Sequence, residues 1–519
     1  MITANVTRFV DLIRIAARRN PRTVAIVSDA GHLTYGELQR NAQVLAQGLL
    51  SRGLVPGDRL GILSQNRTEY LETYIACQIA GLVAVPVNHR LTSQEVQYVL
   101  GNCGARGLLI EAGYMPMLPG LLTSLPDLHR PAVLGLGAEA IGGSYQSLLA
   151  GDVTLAQPIP VHPSSPSTIF YTSGTTGFPK GAMMSHLNIL TRFSSWGWEY
   201  GLSGGDCVLI PGPVFHNSFS ALALITLAVG GRVVLMREFE TGRAAELIHK
   251  EAVTWSFLVP KMISLLLEAS GTQGDLSSLR GILSSGSPLP QALLDELVER
   301  LPRARICDAY GWTETGWLTI CRHADLMRGK RCVGQAAFGC EIAILDGDGN
   351  ELPAGTVGEV HAANPVPFLG YYGNPSATEA ARHGRWESGG DMGVLDEEGF
   401  LTLVDRKNDM IISGGENIYP AEIERVLAEH PDVLEVAAVG VADARWGESP
   451  RACVVLRRGA RLTSEEVLGF CDGRLARYKH PRSVAFVDAL PRNAMGKVLR
   501  RELRDRFAAA QAVNTSRSA

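Results

Sequence analysis

The stretch that decides the fold runs from Thr172 to Gly181 and reads TSGTTGFPKG. It holds Gly174, Gly177 and Gly181, hydroxyls at Thr172, Ser173, Thr175 and Thr176, and one cation, Lys180. Glycines let backbone amides approach an anion closely, hydroxyls add donors, and a lysine adds a point charge. Together they suit a phosphate group. A Walker A loop needs Gly-x-x-x-x-Gly-Lys-Ser/Thr. Here Pro179 precedes Lys180 and Gly181 follows it, so the P-loop NTPase reading fails. A plain surface turn would not call for paired threonines between glycines followed by Pro-Lys-Gly.

Upstream of this loop, helices and strands alternate. Thr34 and Glu37 form a capping box ahead of Leu38, Ala42, Leu45 and Leu49, which share one helical face, and Gly53 can end that helix. RLGILS from Arg59 reads as a buried strand, 67–81 as a helix, and VAVPV from Val83 as a strand. Thr92 and Glu95 repeat the capping box before the strand GLLI at Gly107. This alternation implies a parallel sheet covered by helices. PIPVHPSSP, Pro158 to Pro166, interrupts it and leads into the loop; alternation then resumes to about Pro302. From Val333 to Val404, short β-rich runs separated by GDGN and PAG turns suggest antiparallel units.

The last hundred or so residues read as a separate α+β unit. It has a helix from Ala421, strands from Val433 and Ala452, a helix from Ser464 capped by Thr463 and Glu466, a strand from Val484 and a helix near Val498. The expected fold is therefore α/β. Residues 1–405 form a large domain with doubly wound parallel sheets and a β-rich subdomain, 406–408 a hinge in VDRKND, and 409–519 a small mobile domain with a disordered tail after about 510.

Composition bounds the partners. The 519 residues carry 48 basic and 52 acidic side chains, a net charge of −4, which gives no overall footprint for nucleic acid. Nine scattered cysteines form no Cys-x-x-Cys pair, so neither a zinc ribbon nor a thioredoxin-like site is indicated. The N-terminal stretch is an amphipathic helix rather than a signal peptide. The charge-free run between Asp206 and Arg232 contains Pro211, Pro213, His216 and Asn217 and is too broken to cross a bilayer. The expectation is a cytoplasmic protein with no transmembrane segment; oligomeric state, including a homodimer, stays open.

Four further stretches join the loop: SSGSPLP from Ser284, YGWTETG from Tyr310, GGDMG from Gly389 with DRKNDMIISGGENIYPAEIE from Asp405, and PRNAMGK ending at Lys497. In this order they resemble the adenylate-forming superfamily of acyl-CoA synthetases, luciferases and peptide-synthetase adenylation domains, with the texture of a bacterial AMP-forming acyl-CoA synthetase. The resemblance covers nearly the whole chain. It implies ATP, Mg2+ and coenzyme A as reactants and cofactor. A carboxylate attacks the α-phosphate of ATP to give an acyl adenylate, and a thiol then displaces AMP. Bringing an anion to a polyanion requires positive charge and a metal.

The resemblance also implies roles. Thr172, Ser173, Gly174, Thr175, Thr176, Gly177 and Lys180 hold the β and γ phosphates, with Thr172 also reaching Mg2+. Gly286, Ser287 and Pro288 line the adenine pocket; Tyr310 stacks on the base, with Gly311 and Trp312 beside it. Thr313 donates to the α-phosphate and Glu314 ligates Mg2+. Asp391 accepts both ribose hydroxyls, Arg406 contacts ribose or phosphate, and Lys497 bridges the carboxylate and the α-phosphate. Ser413, Gly414, Gly415, Trp446 and Lys479 resemble a CoA channel, and Asn408 stands at the hinge. The chain departs from the usual pattern at Asn408, at Gly389 in place of threonine, and at Met495 before Gly496-Lys497.

His216 stands where many acyl- and aryl-CoA ligases carry histidine, which argues against an amino acid substrate; a core histidine is the alternative. His216, Asn217, Trp255, Trp312 and Trp317 are the candidate acyl-pocket residues. A medium- or long-chain or alicyclic acid is the first expectation. An aryl acid is the alternative, because the His216–Asn217 pair resembles hydroxybenzoate-activating enzymes. Loading of an acyl carrier protein, a non-catalytic nucleotide sensor and a luciferase-like oxidation stay open as further readings.

Overall fold

The computed structural model describes residues 6–150, 159–172, 179–269, 275–327, 332–406, 409–413, 416–443, 446–472, 474–475, 477–493 and 497–507. Contact density divides the chain into two units. The larger comprises Met1–Ile342 and Ala362–Glu387, the smaller Ala343–His361 and Ser388–Ala519. The 405–409 boundary read from the sequence thus falls inside the smaller unit.

Two sheets build the larger unit. One has seven strands, in the order Gly370–Tyr371, Lys180–Ser185, Pro166–Thr172, Val83–Val87, Arg59–Leu63, Ala105–Glu111 and Val133–Leu136. The last five run parallel, and the first two add antiparallel edges. The other has nine strands: Gln335–Ala336, Gly316–Cys321, Arg305–Trp312, Gly281–Ser285, Trp255–Leu258, Cys207–Ile210, Arg232–Leu235, Val24–Ser28 and Gly31–Thr34. Its six inner strands are parallel. The expected doubly wound α/β fold is present.

Local chemistry sets the helix starts. Thr34–Glu37, Thr92–Glu95 and Thr463–Glu466 each close a reciprocal capping box. Left-handed glycines end the helices Thr68–Ala80, His186–Tyr200 and Asn217–Val229 at Gly81, Gly201 and Gly230. Val83–Val87 is buried on both faces, as a central parallel strand must be.

The smaller unit has its own core. Its sheet runs Glu416–Ile418, Ile411–Ser413, Gly447–Leu456, Val433–Asp443, with Ser483–Phe486 paired in parallel to Gly447–Leu456. Ile411, Ile423, Leu427 and Val454 pack on one side; Val439, Cys453, Leu490 and Leu503 pack on the other. Residues 500–507 are helical, near the helix expected at Val498. Among the described residues no helix is long and apolar enough to cross a membrane.

Candidate active site

Parallel α/β sheets collect ligands at the carboxyl ends of their strands. In the nine-stranded sheet Leu258 pairs with Ser284, Ser284 with Asp308, and Ser285 with Ala309. That register brings the residues that follow Ser285 beside Tyr310–Trp312, the last residues of Arg305–Trp312. Gly286 adopts φ +90°, a backbone open to glycine at little cost. The Tyr310 and Trp312 rings meet edge to face at 6.0 Å.

The carboxyl ends of the two sheets adjoin. Asn66, just past Arg59–Leu63, donates from its amide nitrogen to the carbonyls of Gly212 (2.7 Å) and Met236 (2.9 Å) and accepts from Val214 N–H at 2.8 Å. Glu111, ending Ala105–Glu111, pairs with Arg237, just past Arg232–Leu235. Neither link was legible as a functional signal.

Thr172 and Lys180 meet the Thr313–Glu314 turn through one tyrosine. Thr172 pairs with Lys180 across the hairpin, and its hydroxyl lies 3.5 Å from the Lys180 carbonyl. The Lys180 ammonium sits over the Tyr371 ring, 5.1 Å from its centre. The Tyr371 hydroxyl donates to Glu314 Oε1 at 2.6 Å. Burial, and then the Glu314 carboxylate, push the Tyr371 phenol up, so it stays a donor at any working pH. Thr172, Lys180 and Glu314 are thus drawn together, while Ser173–Gly177, the body of the loop, lies outside the described residues.

The turn itself is held by close backbone approach. Trp312 pairs with Gly316, and a Cβ on Gly311 would lie 1.7 Å from the Gly316 carbonyl oxygen. Gly316 has φ +83°, and a Cβ there would lie 2.3 Å from Trp196 Cζ2. Behind the turn Trp317 stacks on Trp196 with ring centres 4.1 Å apart, and Tyr200 and Phe257 close the cluster.

His216 caps the helix Asn217–Val229, its Nδ1 accepting from Ser218 N–H at 3.4 Å. Burial pushes the imidazole down to about 4, so it is neutral above pH 5. Asn217 is 6% exposed, and its side-chain oxygen has no hydrogen-bond partner among the described residues. Trp255 lies elsewhere than its candidate role requires. It begins its strand, at the opposite end from the cleft, beneath Arg305 and against Gly281, where a Cβ would lie 2.3 Å from the indole. It is a core residue.

The remaining candidates lie in the smaller unit. Asp391, 6% exposed, pairs across a hairpin with Arg406, after Gly390 at φ +77°. Lys497 closes a short loop in which its N–H donates to Asn493 Oδ1, and Asn493 N–H donates to the Lys497 carbonyl, both at 2.9 Å. Ser413 is buried, and its hydroxyl has no partner among the described residues. The Trp446 indole lies under the Arg482 guanidinium at 4.5 Å, and Lys479 is ion-paired to Glu422 at 2.6 Å. Asn408, Gly414, Gly415, the Arg406 side chain and the tail after 507 lie outside the described residues.

Comparison with known proteins settles the family. The profile of the AMP-binding enzymes matches residues 13–372, and that of the AMP-binding enzyme C-terminal domain matches 422–497. The chain belongs to the AMP-binding enzymes. The chain is 36% identical over 501 residues to the fatty acid–[acyl-carrier-protein] ligase ScoC of Streptomyces coeruleorubidus, covering 95% of each chain. It is 36% identical over 499 residues to the feruloyl-CoA synthase of an Amycolatopsis species, covering 95% of this chain and 97% of the relative. ATP-bound MatB from Rhodopseudomonas palustris superposes with a TM-score of 0.87 at 29% identity, covering 96% of this chain and 99% of MatB.

This AMP-binding enzyme is an AMP-forming acid–thiol ligase that uses ATP, Mg2+ and coenzyme A. The site's chemistry fits these groups. The Glu314 carboxylate and Thr172 hydroxyl are hard oxygen donors of the kind Mg2+ takes. Mg2+ usually keeps several waters and takes one or two carboxylates together with substrate phosphates. When bound, Mg2+ supplies positive charge to the reacting phosphates.

Proposed function

We propose that this AMP-binding enzyme activates a carboxylic acid bearing an aromatic ring and transfers it to coenzyme A. The packing of rings behind the strand ends carries this reading. Trp196, Trp317, Tyr200 and Phe257 interlock there, and Phe219 lies 4.5 Å from Phe257. At interior packing density these side chains occupy volume that a long alkyl tail would need. A flat acid needs less of that volume than a long alkyl tail does. The unpartnered Asn217 oxygen adds support, since a ring hydroxyl or N–H would satisfy a group that costs about 1–3 kcal/mol when left unpaired. Pyrophosphate release with ATP and Mg2+, with and without CoA, tests the reading across aryl acids and C8–C16 fatty acids. The best aryl acid should exceed every fatty acid in kcat/KM by at least about tenfold; a preference for palmitate would overturn it.

We carry the residue roles over from the family resemblance. The hairpin ending at Thr172 and Lys180 grips the β and γ phosphates. Gly286, Ser287, Pro288 and Tyr310 receive the adenine, Thr313 donates to the α-phosphate, and Glu314 takes the metal. Asp391 binds the ribose, Arg406 assists there, and Ser413, Trp446 and Lys479 line the thiol path on a domain turning about Asn408. Lys497 steadies the carboxylate against the α-phosphate. Lys497→Ala should therefore lose most acid-dependent pyrophosphate exchange yet still convert preformed acyl-AMP to thioester. Equal loss of both halves contradicts the assignment.

Similarity to ScoC favours a second acceptor, the phosphopantetheine arm of a carrier protein. Product formation with CoA against a holo-carrier protein separates the two.

A further inference from the structure

The helix His186–Tyr200 carries an oddity. Its buried face holds Ile189, Phe193 and Trp196, and Arg192 stands among them at 5% exposure. Burying a guanidinium is costly unless its donors are satisfied. Two of its donors reach the Thr313–Thr315 turn: Nε donates to the Thr315 carbonyl at 2.7 Å, and Nη2 to the Thr313 carbonyl at 3.3 Å. Nη1 is anchored below by Asn188 Oδ1 at 3.1 Å and the Met184 sulfur at 2.9 Å. Asn364 gives the Thr315 carbonyl a second donor at 3.2 Å.

We infer that Arg192 is a positioning residue for adenylation: it holds the Thr313–Thr315 backbone so that Thr313 and Glu314 are presented to the triphosphate. This rests on the roles proposed above for those two residues. Two carbonyls of one tight turn, at alternate residues, are drawn toward the helix, which fixes the plane of both peptide groups. The residue between them, Glu314, is fixed at its side chain by Tyr371. The turn is therefore clamped at its backbone by Arg192 and at its carboxylate by the Lys180–Tyr371 pair. Met184 lies on the strand Lys180–Ser185 that begins with the loop lysine, so the clamp ties the phosphate loop's own hairpin to the turn. A lysine could offer one point contact here but not the fork that spans two carbonyls.

Arg192 also walls an apolar cavity of about 420 Å³, with Trp196, Trp198, Phe338, Asn364 and Pro365. This gives small cations a route to the place its side chain would vacate, and so a direct test.

Arg192→Ala should lower acid-dependent pyrophosphate exchange by about 100-fold, the scale of an ångström-sized misplacement of catalytic groups. AMP binding by calorimetry and conversion of preformed acyl-AMP with CoA should stay within about threefold. Added guanidinium at about 20 mM should restore at least tenfold of the loss, as a free ion takes the vacated place, while equal urea or sodium chloride should not. Arg192→Lys should remain impaired. If Arg192→Ala does not fold, Asn364→Ala removes the other donor to Thr315 and should move the same half-reaction in the same direction. Normal exchange in the folded variants overturns the inference, as does equal loss of both half-reactions without guanidinium rescue. Glu314→Gln separates the layers. If it too leaves exchange intact, the roles given to the turn fall, and the inference with them. If it abolishes exchange while the Arg192 variants do not, the inference alone fails.

Discussion

Replacing Gly316 by alanine adds one methyl at a crowded point of the turn. Two penalties can be worked out separately. The first is conformational: φ is +83°, and a left-handed backbone costs a non-glycine residue about 1–2 kcal/mol. The second is steric: the new carbon would lie 2.3 Å from Trp196 Cζ2 and 3.0 Å from Arg192 Nε. Carbon atoms pack at about 3.5–4.0 Å, so the indole would have to retreat by more than an ångström. It cannot do so freely, being stacked on Trp317 at 4.1 Å and packed on Phe193 at 5.5 Å. Overpacking of this kind costs about 1–3 kcal/mol. The sum is about 2–5 kcal/mol. Gly57→Ala is the matched control: its φ is +92° with nothing within 4 Å of the added carbon, so it carries the conformational part alone. Urea unfolding of the two variants, followed by far-ultraviolet circular dichroism, isolates the steric part as their difference. A difference below about 0.5 kcal/mol, within the range of neutral surface changes, refutes the wedged arrangement of turn and indole.

Other perturbations bear on the same architecture. Tyr371→Phe keeps the ring under Lys180 but removes the 2.6 Å bond to Glu314. Hydrogen bonds to charged groups contribute about 1.5–3 kcal/mol, and part of this will be replaced by water; pyrophosphate exchange should drop about tenfold at limiting Mg2+ with little change in melting temperature. Between pH 6.5 and 4.5 two sets of buried groups pull stability in opposite directions. Burial raises the Glu72, Asp308 and Glu387 carboxyls to about 7, so on acidification the folded chain takes up protons before the unfolded chain does, which stabilises it. Burial lowers His89, His186 and His216 to about 4, so the unfolded chain takes up protons first there, which destabilises the fold. Glu387→Gln removes one carboxyl. Relative to the parent chain, its unfolding free energy from urea titrations should then fall as pH drops from 6.5 to 4.5, by at most about 1.4 kcal/mol per pH unit.

The legible part of this protein is the part written locally. Capping boxes at Thr34, Thr92 and Thr463 span three residues, and each forms as read, because the bonds join neighbours in sequence. Strand and helix alternation likewise places Gly286, Tyr310 and Thr313 at strand ends. What stayed hidden is long-range side-chain bonding. Arg192 reaches carbonyls more than a hundred residues away, and Tyr371 reaches Glu314 across 57. The one clue was a charge on an otherwise apolar helix stripe at Ile189, Phe193 and Trp196. Composition likewise cannot say at which end of its four-residue strand the Trp255 indole sits. The aryl reading proposed above draws on long-range packing in the same way. The sequence shows that aromatic residues exist, but only the packing shows them filling one another's space.

The two indoles behind the turn, Trp196 and Trp317, are near enough for their electronic transitions to couple, and their rings are tilted by 41° rather than parallel. A chirally skewed chromophore pair gives a signed near-ultraviolet couplet that an isolated indole lacks. Trp317 follows Gly316 directly, so any shift of the turn would alter that couplet. The enzyme therefore contains an optical gauge of the Thr313–Gly316 turn, readable without a label.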